Sequence, residues 1–226
     1  MFDQRRTRAA LIALSLAALP PHVAAAAPLA ATETRVAAEA PALPASTEAL
    51  ALAAWVVAKA DAHGLPFIVI DKVHAQVVAF TADGAVRATT PALLGAARGD
   101  LSPPGIGTLK LAQITPAMRT TPAGRFEVGF GADLGPHDVL WIDYDAAISL
   151  HRVVTSNAAE HRLQRLATPS VADNRISYGC INVPVRFYEG VIQPLFRPAN
   201  GIAYILPETP AFGSLIAHIE AHPHPR

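Results

Sequence analysis

The chain carries one cysteine, Cys180, in the segment Ser177-Tyr178-Gly179-Cys180-Ile181-Asn182-Val183-Pro184. A thiolate can attack an acyl carbon and hold it as a thioester, provided that a base stands within reach. Gly179 removes the side chain just before Cys180, so backbone there can approach a substrate closely. Pro184 sits at a helix start, and a helix N-terminus near a thiol favours the thiolate and offers N–H groups to an oxyanion. The plainer alternative is a small buried cysteine in a turn. A single cysteine excludes an intramolecular disulfide framework and any all-thiolate metal site.

The base has to be sought among nine histidines. His22 falls in the N-terminal leader, and His218, His222 and His224 fall in the C-terminal tail, where an exposed terminus explains them better than a metal. His63, His74, His137, His151 and His161 remain. His151 follows the strand-like run Ala147-Ile148-Ser149-Leu150 and so stands at the end of a rigid element. His161 lies in the polar stretch Asn157-Ala158-Ala159-Glu160-His161-Arg162, which reads as a solvated loop or helix. His151 is therefore preferred, with His161 as the alternative.

Other elements must position this pair. The 226 residues hold 18 basic and 18 acidic side chains, a balance that points away from a nucleic-acid partner. Arg5, Arg6 and Arg8, the apolar stretch Ala9 to Leu19 and the small residues Val23 to Ala27 read as a secretory signal peptide over residues 1–26. No membrane span is expected once it is removed. An Ala/Pro-rich linker follows over 27–47, then a helix over 48–63, capped by Thr47, with Leu52, Trp55, Val56 and Lys59 on one face. After Pro66 the pattern turns to strands: Phe67 to Asp71, Ala75 to Phe80, Ala85 to Thr89 and Ala92 to Leu94, with a turn at Asp83-Gly84. A long Gly/Pro-bearing segment fills Ala96 to Gly124. Strands are expected again at Arg125 to Val128, Val139 to Ile142, Ala147 to Leu150 and Gly201 to Leu206. A helix beginning at Pro184 presents Val185, Tyr188, Val191, Ile192 and Leu195, and a last helix spans about Phe212 to Ala221. Many strands and few helices imply a mainly β core of the α+β class.

From about Pro66 to Leu206 the sequence resembles the L,D-transpeptidase catalytic domain, or YkuD domain. The opening run Ile68-Val69-Ile70-Asp71 and the element Thr121-Pro122-Ala123-Gly124-Arg125-Phe126 match that family. So does a histidine followed, after a spacer, by Ser177-Tyr178-Gly179-Cys180-Ile181-Asn182. The resemblance implies a YkuD-like β-sandwich or barrel-like core over 66–207, with a helix after the catalytic cysteine. Helices flank it on the N-terminal side and in the C-terminal segment 208–226. It implies that Cys180 and His151 are catalytic, and that Ser177, Tyr178, Gly179 and Asn182 shape the oxyanion and substrate site. It also implies peptidoglycan stem peptides as acyl donors. A second stem or an envelope protein would accept the acyl group, with water as the hydrolytic alternative. Such domains use no metal or other cofactor, and the location implied is periplasmic or exported to the cell envelope.

Two departures from the family pattern stand out. Tyr178 replaces the motif's second histidine, and its phenol can still donate a hydrogen bond. The spacer from His151 to Cys180 is long at 28 residues, against 18 from His161. With His151 as base, the extra residues, including Glu160, Arg162, Arg165, Pro169 and Asp173, form an insertion covering the site. Trp141 and Tyr144 either line a substrate groove or pack beneath the sheet. Asn182 either orients the turn or caps the following helix. The alternative function is a catalytically inactive peptidoglycan-binding module, whose binding would survive loss of Cys180. A papain-like protease is disfavoured, because there the cysteine precedes its histidine.

Overall fold

The run Phe67-Ile68-Val69-Ile70 lacks polar alternation, which suits a strand covered on both faces. The computed structural model describes residues 43–133, 136–208 and 213–221, all within the compact unit Ala38–Arg226. In β1 (Phe67–Asp71), Ile68 and Ile70 enter one core cluster while Phe67 and Val69 enter another. Helix α1 (Thr47–Lys59) closes the second cluster with Ala49, Leu52, Ala53 and Val56. The remaining strands are β2 (Gln76–Phe80), β3 (Val86–Pro91), β4 (Leu94–Gly95), β5 (Gly124–Ala132) and β6 (Asp138–Asp143). They continue with β7 (Ile148–Arg152), β8 (Arg175–Ser177), β9 (Ile181–Val183) and β10 (Gly201–Ile205).

Eight of these strands form one mixed sheet in the order β3-β2-β1-β10-β5-β6-β7-β9, while β4 pairs with β8. Just past β3, Leu93 exchanges both backbone hydrogen bonds with Asn182 of β9, at 2.8 and 2.9 Å. The chain leaving one edge strand is thus tied to the other edge, and the sheet is nearly closed. A mainly β architecture of the α+β class results. Its interior is filled from the sheet's inner face and by the segment after β9. That segment runs from α3 (Val185–Phe187) through a π-helical turn (Tyr188–Ile192) into α4 (Gln193–Phe196). Phe187, Tyr188, Ile192 and Phe196 are its buried residues. Each such side chain contributes about 1.5–3 kcal/mol through burial.

Several expectations need correcting. Ser46, not Thr47, caps α1, its Oγ accepting from the Ala49 N–H at 3.2 Å. The helix ends at Lys59, where Ala60 adopts a left-handed conformation, and Lys59 is exposed. Val185 is 42% exposed and Phe187 is buried instead, and the π turn at Tyr188–Ile192 shifts the phase of the residues that follow it. A three-residue strand, β9, separates Cys180 from that helix, so the thiol does not sit at its N-terminus. β8 and β9 lacked a sequence signal because three residues are too few to show a period. The signal-peptide segment and most of the linker lie outside the described residues, as do His222 and His224. A helix α2 (Arg162–Ala167) and a C-terminal helix α5 (Gly213–Ala221) complete the chain. No helix among the described residues is long and apolar enough to cross a membrane.

Candidate active site

Strand register, not sequence distance, brings the cysteine and histidine together. β7 and β9 run parallel, with Leu150 beside Ile181 and His151 beside Asn182. Ile148, Leu150, Ile181 and Val183 point into the inner core. Alternation therefore puts Ser149 and His151 of β7 on the opposite face, with Asn182 and the preceding Cys180 alongside. The 28-residue spacer loops out between the two strands. His151 lies within β7 as its penultimate residue rather than beyond its end.

The imidazole is oriented from behind. His151 Nδ1 lies 2.7 Å from the Arg152 carbonyl oxygen, which can only accept, so Nδ1 carries the proton and Nε2 is left to face the thiol. Cys180 Sγ donates to the Ala147 carbonyl at 3.5 Å. Burial opposes the thiolate, but the neighbouring His151 imidazole and its charge outweigh it, holding the Cys180 thiol below its usual range. Burial likewise opposes the imidazolium, yet the neighbouring Cys180 holds His151 above its usual value, against a smaller opposing push from Arg162. Each group favours the charged form of the other, so their titrations are coupled. Ser149 Oγ donates to Cys180 Sγ at 3.7 Å, a further contact favouring negative charge on sulfur.

The turn carrying Cys180 is stapled by its neighbours. Ser177 Oγ donates to the Cys180 carbonyl at 2.6 Å and accepts from the Gly179 N–H at 3.1 Å. Gly179 has φ +131, and a Cβ there would meet Ile148 Cδ1 at 2.6 Å and the Thr120 carbonyl oxygen at 2.7 Å. The close approach that glycine permits is therefore to the protein's own backbone. Thr121 Oγ1 donates to the Gly179 carbonyl at 2.7 Å and accepts from the Gly95 N–H at 2.9 Å. Behind it, the fully buried Lys72 ammonium donates to the carbonyls of Thr121 and Gly99 and to Asp100, at 3.0, 2.7 and 2.6 Å. Three acceptors match its three protons. Burial pulls the Lys72 pKa below its ordinary value, and Asp100 offsets part of that pull.

Tyr178 is engaged by Arg119. Arg119, from the long segment before β5, lies over its ring at 3.9 Å from the centroid and donates to its hydroxyl at 3.1 Å. The phenol accepts that bond, and the residue pins that segment to the turn carrying Cys180. Asn182 is fully buried; it donates from Nδ2 to the Cys180 carbonyl at 3.3 Å and accepts from Arg162 Nη1 at 2.7 Å. It does not cap the helix, whose N-cap is Pro184. Arg162 belongs to the spacer and also pairs with Glu160. Leu166, from the same spacer, packs with Leu93 and Val153 in a small separate cluster. His161 is exposed, at φ 50, with no side-chain capping bond.

Comparison of the sequence with known protein families and with curated proteins finds no match. Among solved structures the chain is similar to the helical cell shape determining protein Pgp2 from Campylobacter jejuni, at 13% identity and a TM-score of 0.43. That likeness covers 65% of this chain and 49% of that one, so the chain spans about half its length. It is also similar to the catalytic domain of the E. faecium L,D-transpeptidase, at 20% identity and a TM-score of 0.36, covering 62% of this chain and 95% of that domain. The LD transpeptidase LdtMt1, solved in complex with imipenem, gives 13% identity and a TM-score of 0.36 over 62% of this chain and 58% of that one.

Nothing in the sequence singled out the contacts made by Ser149, Lys72 and Arg119, nor the specific bonds that Thr121 and Arg162 make to the Cys180 turn. Thr121 and Lys72 act over contacts 58 and 49 residues long, which no local pattern encodes. Among the described residues, Glu48, Asp71 and His74 have possible metal-ligating atoms within 4.8 Å of one another. The Asp71 carboxylate already accepts from the Val73 and His74 N–H groups and contacts the His74 ring, which accounts for the closeness of Asp71 and His74.

Proposed function

We propose that the protein is a cysteine acyltransferase of the L,D-transpeptidase type, exported to act on peptidoglycan stem peptides. The observation that carries this reading is the parallel β7–β9 register, which puts His151 and Cys180 on one face with the imidazole oriented by the Arg152 carbonyl. The thiolate attacks the carbonyl carbon of the amide before a terminal D-amino acid. The C–N bond breaks as the sulfur–carbon bond forms, and the imidazolium gives its proton to the departing amine. An amine from a second stem or an envelope protein then takes the acyl group from sulfur, or water does. The Gly179 N–H is engaged by Ser177, so the N–H groups of Cys180 and Tyr178 are the donors assigned to the oxyanion. Ser177 and Asn182 act on the turn through the Cys180 carbonyl, and Tyr178 acts on the neighbouring segment. The spacer carrying Arg162 and Leu166 serves as the wall that keeps water from the thioester.

Incubation with a carbapenem or a stem tetrapeptide is expected to add one acyl mass to the wild-type protein, and none to Cys180→Ala, by intact mass spectrometry. An unmodified wild type that still sediments with peptidoglycan would instead establish the inactive binding module. The ion pair also sets a pH profile. Its acid limb reports thiol ionisation and lies below the ordinary thiol range; its alkaline limb reports imidazolium loss and lies above the ordinary histidine value. Alkylation of Cys180 by iodoacetamide, followed against pH, should show the lowered acid limb, and His151→Ala should move it upward. A limb at the free-thiol position in both proteins would remove the ion pair from the mechanism.

A further inference from the structure

An exposed aromatic ring, Tyr144, stands over a half-buried one, Trp141, on the sheet face that carries the thiol. Trp141 of β6 is paired across the ladder with Ser149 of β7, so both side chains lie on one face, and Ser149 touches Cys180 Sγ. Tyr144, in the turn after β6, stacks on Trp141 with ring centroids 4.6 Å and planes 23° apart. It is 69% exposed, and neither ring belongs to a core cluster, so packing beneath the sheet is excluded. The pair is held in place from below. Trp141 Nε1 donates to the Ala132 carbonyl at 3.2 Å. Gly131 leaves the room, since a Cβ there would come within 2.7 Å of Trp141 Cδ1 and 3.0 Å of the Tyr144 hydroxyl.

A fixed, exposed aromatic surface beside a nucleophile suits a ligand with C–H edges to lay on it. The ring face is electron-rich and attracts such edges, which a pyranose presents on one side and hydroxyls on its rim. Beside Tyr144 lies an open cleft of about 480 Å³ bordered by the carboxylates of Glu127, Asp143 and Asp145, which can accept from those hydroxyls. Spacing agrees. β6, β7 and β9 are neighbours, so Trp141 lies roughly 10 Å from the thiol at the usual strand separation. When the fourth residue of a stem tetrapeptide departs, three residues separate the reacting carbonyl from the sugar, an extended reach of about 10 Å.

We propose that Trp141 and Tyr144 form a sugar-stacking platform for the glycan residue that bears the stem peptide acylated on Cys180. The platform rests on the acyltransferase reading above and makes the preferred donor a glycan-linked stem rather than a free peptide. Rates of thioester formation are to be compared for a disaccharide-tetrapeptide and the same tetrapeptide without sugar. Wild type should favour the sugar-bearing donor by about five- to tenfold, and Tyr144→Ala should bring that ratio close to one. A wild type without preference, or equal losses by Tyr144→Ala on both donors, overturns the platform. Calorimetric titration of Cys180→Ala with the same two probes separates the two proposals, because it needs no chemistry. Tighter binding of the sugar-bearing probe, weakened by Tyr144→Ala, upholds the platform even if no thioester forms; equal binding of both probes sinks it.

Discussion

His151→Ala lowers the rate of Cys180 acylation by a carbapenem by roughly 10²- to 10⁴-fold, the usual worth of a positioned general acid–base. The loss is expected to be large because several effects leave together. The imidazole and its charge hold the thiol below its usual range, and burial otherwise opposes the thiolate. It is also the proton donor assigned to the leaving amine. His161, the alternative base, is exposed on the spacer, whereas His151 sits in β7 beside the β9 register. The control is His161→Asn, chosen because asparagine tolerates the left-handed φ found there. It should acylate within about twofold of wild type, the margin of a surface change. Single-turnover kinetics on the three proteins decide the matter, and a greater loss in the His161 variant would reassign the base.

The second large effect is on stability. Lys72→Met is expected to destabilise the fold by about 3–5 kcal/mol, as breaking a buried charge pair from one side does. Methionine nearly matches the side chain in length but carries no hydrogen-bond donor and no charge. The carbonyls of Gly99 and Thr121 and the Asp100 carboxylate would each lose a donor. Asp100 also accepts from the Glu208 N–H, so the loss spreads to the segment after β10. Urea unfolding measures the change, and a shift below about 1 kcal/mol would mean that water or rearrangement replaces the ammonium. Adding Asp100→Asn should recover part of the loss, since it removes the stranded carboxylate's charge. Acylation should fall too, because Thr121 holds the Gly179 carbonyl next to the nucleophile.

Much of this architecture was legible where the signal is local. The Phe67 to Ile70 run, the Asp83-Gly84 turn and the closing strand from Gly201 announce themselves by residue type and spacing over a few positions. Tyr178 shows the opposite case. Its identity was plain, but its contact with Arg119 spans 59 residues, so its acceptor role was not readable. The expected helix dipole at the thiol was wrong for a related reason. Pro184 correctly marked a helix start, yet nothing local revealed that Ile181 to Val183 would first extend as an edge strand beside β7.

For this protein the sequence by itself determined a mainly β chain, a single thiol placed after a glycine, and a histidine on a rigid strand as its candidate partner. These follow from composition, periodicity and the steric freedom of glycine, all of which act within a few residues. Only the tertiary structure decided that the β7–β9 register, across a 28-residue spacer, sets His151 against Cys180. It also decided that Thr121 and Lys72 brace the turn, and that Tyr144 stands exposed over the half-buried Trp141 on the thiol's face. Strand pairing and buried polar contacts join residues far apart along the chain, and their partners are selected by the closure of the whole sheet.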